Sequence, residues 1–495
     1  MEIDVLKKMI ERRVQNFSDS IKMMTEGEAY YKNESDIISG KGAASTFEDV
    51  DIKPNKKNPM RNANNRIPFP FYPLLTNQKA AYVMTKPPKF SIDDKVGLDK
   101  EINDTLGNKF PKICKDLVIN AANMSISWLH VWVGEKDNKF KYGIVDSRQI
   151  IPIYSAKLDK ELLGVLRVYD DFDDNGVDIN VAEYWTDKQC ETYFKKSGKE
   201  WTSAEPYNVF NLIDVATKQE TGKTNVITHD WGRVPFIPFH NNSVGTNDLV
   251  LIKKIQDLYE KVSSGFANDL DDLQEVIFIL TNYGGVNKAE FLQDMKKYKL
   301  LKLDVDEGEQ AGVDTLQIEI PIEAREKLLE RAEDAIFKLG MGVNPTKEDF
   351  SNTSGAALKF IYSLLELKSG ITETEFRLGF DNLMWFVLSY LGEDVNLNVE
   401  QTWERTSIRN DSEEADVVAK LADVSSQETI AYANPLVTNP ERELELLKEK
   451  GQDNYGGEAE VLAETISSNQ TGAAGQGDDL RGGVQSKTET NPKGN

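Results

Sequence analysis

Cysteine and histidine are nearly absent: the 495 residues include two cysteines and three histidines. Cys114 and Cys190 cannot build a disulfide framework, so the chain suits a reducing compartment or is indifferent to redox state, and both are expected as packing residues. His130, His229 and His240 lie far apart, with neither a His-Glu-x-x-His pair nor a Cys-x-x-Cys partner, so no metal site is expected. Long apolar runs are missing too. The strongest, Val276 to Leu280 and Met384 to Leu391, fall well short of the roughly 20 residues that cross a bilayer, so no membrane association is expected. The start, Met1-Glu2-Ile3-Asp4, lacks the basic and apolar regions of a secretory signal, and no export is expected. Positive charge is scarce: 59 Lys and Arg stand against 82 Asp and Glu, a formal −23, with a pI near 4.8. A generic nucleic-acid binder clusters Lys and Arg against phosphates, so any contact with DNA has to be of an unusual kind.

Catalytic motifs are also lacking. The nearest approach to a phosphate-binding loop is Ser39-Gly40-Lys41-Gly42-Ala43-Ala44-Ser45-Thr46. It has no glycine at the required distance before Gly40-Lys41, no Ser or Thr after Lys41 and no buried strand leading in, so a solvated loop is the better reading. No Gly-x-Ser-x-Gly elbow occurs. Carboxylate groupings do occur, at Glu373 with Glu375, Asp248 with Asp257, and Asp269, Asp271 and Asp272. In a chain that is 28% charged such neighbours are common, and solvated helix faces or helix–helix salt bridges account for them. Neither an enzymatic activity nor a cofactor is expected.

What is present is a polar globular chain, 39% hydrophobic with a mean hydropathy of −0.49. At roughly 150 residues per domain its length fits about three domains or one elaborated assembly subunit. Leu6, Ile10, Val14, Phe17, Ile21 and Met24 form one apolar helical stripe. Residues 33–65 read as a long polar loop, and three prolines, Pro68, Pro70 and Pro73, precede a short helix that Pro87 and Pro88 stop. From Trp128 to Tyr184 a period-two pattern predicts antiparallel strands, with His130 inside one of them. After Gly245 the positions Leu249, Ile252, Ile255, Tyr259, Val262, Phe266, Leu270 and Leu273 predict a rod of about 40 Å. Val276 to Asn282, 301–306 and 316–320 read as strands of an insert. Pro321 then opens a second rod carrying Leu328, Ala332, Ile336 and Leu339, closed by Gly340, Gly342 and Pro345. Thr353 is placed to cap a helix running to Leu391, roughly 55 Å long, with Gly370 and Gly379 as possible bends. Short acidic helices are expected at 412–424 and 439–450. From Thr471 the composition collapses to polar residues and glycine, which predicts disorder. Two amphipathic rods around a β insert ask for neighbouring copies, and a symmetric ring is the natural answer.

Three blocks carry a family resemblance. The first is Asn65-Arg66-Ile67-Pro68-Phe69-Pro70-Phe71-Tyr72, with Gln78-Lys79-Ala80-Ala81-Tyr82 and Lys86-Pro87-Pro88. The second is Gly232-Arg233-Val234-Pro235-Phe236-Ile237-Pro238-Phe239 with Asn241-Asn242, leading through Ile255-Gln256-Asp257-Leu258-Tyr259 and Asn268-Asp269-Leu270 to Asn282-Tyr283-Gly284-Gly285. The third is Ser354-Gly355-Ala356-Ala357-Leu358-Lys359-Phe360-Ile361-Tyr362. In this order they resemble the portal proteins of tailed bacteriophages that infect Gram-positive bacteria, from about residue 60 to 450.

The resemblance implies an α+β portal-protein fold that assembles as a ring of twelve. Its parts would be a β-containing wing at 1–246, a helical stem at 247–275 and 321–340, and a small α/β clip at 276–320. A tunnel loop at 341–353, a long wing helix at 354–391, a helical crown at 392–465 and a disordered tail at 466–495 would follow. The ring would sit at the unique capsid vertex of the virion, assembled in the host cytoplasm, as the conduit through which double-stranded DNA is packaged and ejected. Implied partners are other copies of itself, terminase at the clip, adaptor or head-completion proteins, and scaffolding and major capsid proteins. The tunnel-loop residues Asn344, Thr346, Lys347, Glu348 and Asp349 would face DNA, and Ile255, Tyr259, Val262 and Ile336 would pack the stem. The alternatives are another head or connector structural protein, or a ligand-binding or hydrolytic protein using the β region 128–185.

Overall fold

The computed structural model describes residues 2–40, 63–92, 95, 97–134, 136–172, 176–196, 198–201, 210–213, 220–272, 277–281, 312–316, 321–344, 360–405, 420, 425–433, 437, 440 and 442–448. The chain divides into two compact units, 1–407 and 408–495.

In the first unit the N-terminal stripe occupies two helices, α1 (Ile3–Asn16) and α2 (Ser18–Tyr31), which break at Phe17. Asp4 and Asp19 lie in their first turns, where a carboxylate meets the positive end of the helix dipole. Leu6 is fully buried against Ile151, Leu166, Ala182 and Tyr193 of a sheet. Within the stretch expected to be loop, a single helical turn, α3 (Asp36–Ser39), buries Ile37; residues 41–62 lie outside the described residues. Helix α4 (Phe71–Val83) starts one proline earlier than expected: Pro70 is its N-cap and Pro73 sits in its first turn. There the missing N–H has no intrahelical partner to lose.

Two antiparallel sheets carry the predicted alternation. The larger has strand order Val226–Thr228, Gln189–Lys196, Asp178–Trp185, Leu162–Phe172, Ile150–Tyr154. The smaller has Ile126–Val133 between Phe236–His240 and Phe140–Val145. In its central strand Trp128, Leu129 and Val131 are all buried, so both faces are covered there, and His130 stacks on Trp132 and Phe236. Helices α5 (Leu98–Leu106) and α6 (Phe110–Met124) cover one side of this sheet.

The first rod begins as a 3-10 turn, Asp248–Leu251, and continues as α7 (Lys253–Asp272), 20 residues or about 30 Å. Its stripe is fully buried only near the base, at Leu249 and Ile252; Ile255, Tyr259, Val262 and Phe266 are half-buried and Leu270 is 48% exposed. The second rod, α8 (Ile322–Leu339), is joined to α7 by an Arg325–Asp269 ion pair at 2.5 Å. Ala332 and Ile336 are buried while Leu328 and Leu339 are exposed. Between the rods, Ile277–Thr281 pairs antiparallel with Gly312–Leu316. The alternating segment 301–306 and residues 317–320 lie outside the described residues. Helix α9 (Ser363–Leu391) has 29 residues, about 43 Å, and runs unbroken through both glycines. A Cβ at Gly379 would lie 2.5 Å from the Phe239 ring, so this glycine admits close packing instead of a bend. Thr353, the expected cap, lies outside the described residues.

In the second unit, α10 (Gln427–Ala433) was not among the expected helices. Ser426 Oγ accepts the Thr429 N–H at 3.2 Å and caps it. Residues 442–448 are helical, inside the predicted 439–450. Of 412–424 only residue 420 is described, and 451–495 lie outside the described residues.

Candidate functional site: the stem base and the root of the loop

Apolar residues from four elements meet where the two rods start and end. Tyr30, Tyr72, Leu75, Leu249, Ile252, Ile336 and Phe337 are buried together, with Phe71, Ile255 and Tyr259 packed on them. Of the expected stem-packing residues, Ile336 is fully buried, Ile255 and Tyr259 are half-buried in this cluster, and Val262 is half-buried outside it. Tyr259 makes edge contacts with Phe69 at 4.7 Å and Phe71 at 5.0 Å. Its partners therefore come from the proline-rich segment ahead of α4 as well as from the rods.

That segment lies along α7 as an extended strap. Asn65 N–H donates to Asn268 Oδ1 at 2.5 Å, Ile67 N–H to Ser264 Oγ at 3.0 Å and Phe69 N–H to Glu260 Oε1 at 3.1 Å; Gln256 Nε2 donates to the Phe69 carbonyl at 2.9 Å. Every second strap residue meets every fourth helix residue. The match is geometric: two extended residues span about 6.6 Å and four helical residues about 6 Å. A strap with prolines at 68 and 70 cannot donate from those positions, and the helix supplies polar groups only where an N–H exists. Burial raises the Glu260 carboxyl above its ordinary value, although bonds from Ser35, Gln256 and the Phe69 N–H oppose the shift.

Helix α8 ends in a Schellman motif. Gly342 N–H donates to Phe337 O at 2.9 Å and Met341 N–H to Lys338 O at 3.3 Å, and the left-handed position falls on Met341, at φ 53°. The flanking glycines serve a different purpose. A Cβ at Gly340 would lie 2.6 Å from Leu75 Cδ1, and one at Gly342 would lie 2.1 Å from Leu75 Cδ2 and 2.8 Å from Gln78 Oε1. They let the chain lie flat on α4. Gly342→Ala is expected to destabilise the protein by about 1–3 kcal/mol through overpacking, seen as a lower thermal midpoint. Met341→Gly removes left-handed strain and is expected to be tolerated; the reverse ranking would refute this account.

Beyond the motif, Val343 N–H donates to Gln78 Oε1 at 3.0 Å and Gln78 Nε2 donates to Val343 O at 2.7 Å. Lys368 Nζ, on α9, donates to the Gly340 carbonyl at 3.0 Å. Lys368 also pairs with Asp248 at 3.0 Å, as does Lys79 of α4 at 3.1 Å, and all three are buried. Asn241 completes the node: its Oδ1 accepts from Lys79 Nζ at 2.6 Å and its Nδ2 donates to Asp248 Oδ1 at 2.8 Å. Asp248 thus sits in a buried ion-pair network, not on a solvated helix face. Of the other carboxylates, Asp257 pairs with Lys253 on the same helix, Asp269 with Arg325 across the rods, and Glu373 with Arg405.

Of the predicted loop residues, Asn344 is 9% exposed and donates to Glu333 Oε1 at 2.9 Å, which holds it against α8. Thr346, Lys347, Glu348 and Asp349 lie outside the described residues. Sequence reasoning missed Gln78, Lys79 and Lys368. A signal existed, because Lys79 falls in line with Leu75, Thr76, Ala80 and Val83, and Lys368 with Leu365 and Thr372, all buried. A lysine within an apolar stripe asks for a buried partner.

Among the described residues no three His, Cys, Asp or Glu side chains gather as metal ligands, and no helix is long and apolar enough to cross a membrane. Burial pushes both cysteine thiols up and lowers His130 to about 4. A cavity of about 520 Å³ lies beside the β region 128–185, lined by Glu28, Tyr31, Asp116, Asp146 and Arg148. Its arginine is taken by Asp146 and Glu28, each at 2.5 Å.

The family described as "Phage portal protein, SPP1 Gp6-like" matches residues 11–456. A portal protein of Clostridium phage phiCD119 is 38% identical over 438 residues, covering 86% of this chain and 92% of the relative. A portal protein of Bacillus phage SPP1 is 31% identical over 398 residues, covering 78% and 76%. Among solved structures, a chain from the neck of an empty gene transfer agent particle matches with a TM-score of 0.44 and 11% identity, over 74% of this chain and 90% of that one.

Proposed function

This chain belongs to the SPP1 Gp6-like family of phage portal proteins, and on that premise we propose that it forms a ring of twelve at one capsid vertex, through which double-stranded DNA enters and leaves. The supporting observation is the 38% identity to a portal protein, spread over 86% of the chain. In this reading the chain is structural, not enzymatic. The paired rods α7 and α8 are the stem, the paired strands between them belong to the clip where terminase docks, and 341–353 is the tunnel loop. Head-completion, scaffolding and major capsid proteins contact other faces of the ring. A negative-stain image of purified protein tests the proposal: rings with a central hole are expected, and a compact monomer would overturn it.

Charge supplies the mechanism. Each lysine or arginine held on a phosphate releases counterions and adds affinity, which would stall a sliding polyanion. A chain with −23 formal charges does the opposite. Repulsion, screened beyond about 8 Å at physiological salt, centres the duplex and leaves contact to a few loops. At the loop, Lys347 makes transient phosphate contacts while Glu348 and Asp349 keep their sum unfavourable to tight binding. Lys347→Glu is expected to leave ring assembly intact and to alter DNA packaging or retention. Packaging indistinguishable from the parent over a range of salt would sink the contact.

A further inference from the structure

We propose that Gln78 is a positioning residue for the tunnel loop and that, with Lys368, it clamps the loop's root and so sets the direction in which the chain leaves α8; this rests on reading 341–353 as that loop. The geometry at Val343 carries it. The Gln78 amide engages both backbone groups of one residue, accepting its N–H at 3.0 Å and donating to its carbonyl at 2.7 Å. Two bonds to one residue's backbone fix direction as well as distance, whereas a single bond leaves rotation free. Leu75, one turn earlier on α4, packs where a side chain at Gly340 or Gly342 would stand, so the chain has one face to lie on.

The helix that follows the loop in sequence reaches the same node. Residues 345–359 lead into α9, whose Lys368 reaches back to the Gly340 carbonyl at 3.0 Å while paired with Asp248. Asp248 in turn holds Lys79, the neighbour of Gln78 on α4. One buried carboxylate therefore ties the helix that grips the loop's start to the helix that follows its end. Gln78 is half-buried while Val343 is buried, so the amide's bonds act on the Val343 backbone.

The test uses the full chain with Thr346→Cys carrying a nitroxide; the native thiols, Cys114 and Cys190, are buried and leave this one to label. Gln78→Leu keeps the bulk and removes both bonds, and Lys368→Met is the second variant. Expected for Gln78→Leu are an unchanged ring population, a lowered thermal midpoint because the buried Val343 N–H and carbonyl lose their partners, at least about tenfold faster hydrogen exchange at the Val343 amide, a broadened distribution of label-to-label distances across the ring, and reduced packaging. Lys368→Met is expected to broaden the distances while leaving the Val343 amide protected. Unchanged exchange and unchanged distances in Gln78→Leu would overturn the clamp. If the parent forms no ring, the portal reading fails instead, and exchange at Val343 still decides whether Gln78 holds the root.

Discussion

Replacing Asp248 with alanine is expected to destabilise the protein by about 3–5 kcal/mol, because it leaves Lys79 and Lys368 buried without their counter-charge. Denaturant unfolding and soluble yield are the measurements, and an unchanged midpoint would refute the assignment. The apolar triple variant Lys79→Met, Asp248→Leu, Lys368→Met is expected to recover much of the loss, since a desolvated ion network is seldom more stable than packed hydrocarbon. The pH dependence has a defined sign. Burial alone would raise the Asp248 carboxyl, but Lys368, Lys79 and the Asn241 amide hold it well below the usual carboxylate range. Its contribution is complete above the unfolded value of about 3.9 and is lost only as pH falls through the lower folded value. Lys79 runs the other way: burial outweighs the attraction of Asp248 and lowers its ammonium to about 8. From there up to about pH 10.4, the unfolded chain holds a proton the folded chain has released, so stability rises with pH. Lys79→Met is expected to remove that rise.

The second large effect is expected at the stem base. Ile336→Asp places an unpaired carboxylate at a fully buried position among Tyr72, Leu75, Leu249 and Phe337. The expected cost is several kcal/mol, with loss of both the midpoint and the ring. Ile255→Asp, at a half-buried position on the same cluster, is expected to cost less because the carboxylate can reach water. Native mass spectrometry and thermal unfolding separate the two; equal ring populations and midpoints for both variants and the parent would defeat the packing account.

Helix types and their order were legible where apolar spacing is strong. The rods were read from Ile252, Ile255 and Tyr259 and from Ala332 and Ile336, because a stripe at steps of three and four has one helical solution. Boundaries were less legible. The break at Phe17 splits one continuous stripe into two helices, and the spacing does not change across it. Helix α10 was missed although Ser426 stands at its cap, since a seven-residue helix has too few turns to show a period.

By itself the sequence determined the absence of catalytic motifs, the acidic charge, the two rods around an insert and the family blocks, all of which are local patterns or totals along one chain. Only the tertiary structure decided what joins them. Gly340 and Gly342 read as helix terminators, yet the left-handed residue is Met341 and the glycines are there for Leu75, which lies more than 260 residues away in the chain. The strap's hydrogen bonds to Gln256, Glu260, Ser264 and Asn268 match two different periodicities in two distant segments. The stripes around Lys79 and Lys368 tell that each needs a buried partner, but not that both share Asp248. Their meeting in one buried node follows from packing three elements around a common point, and no local spacing encodes it.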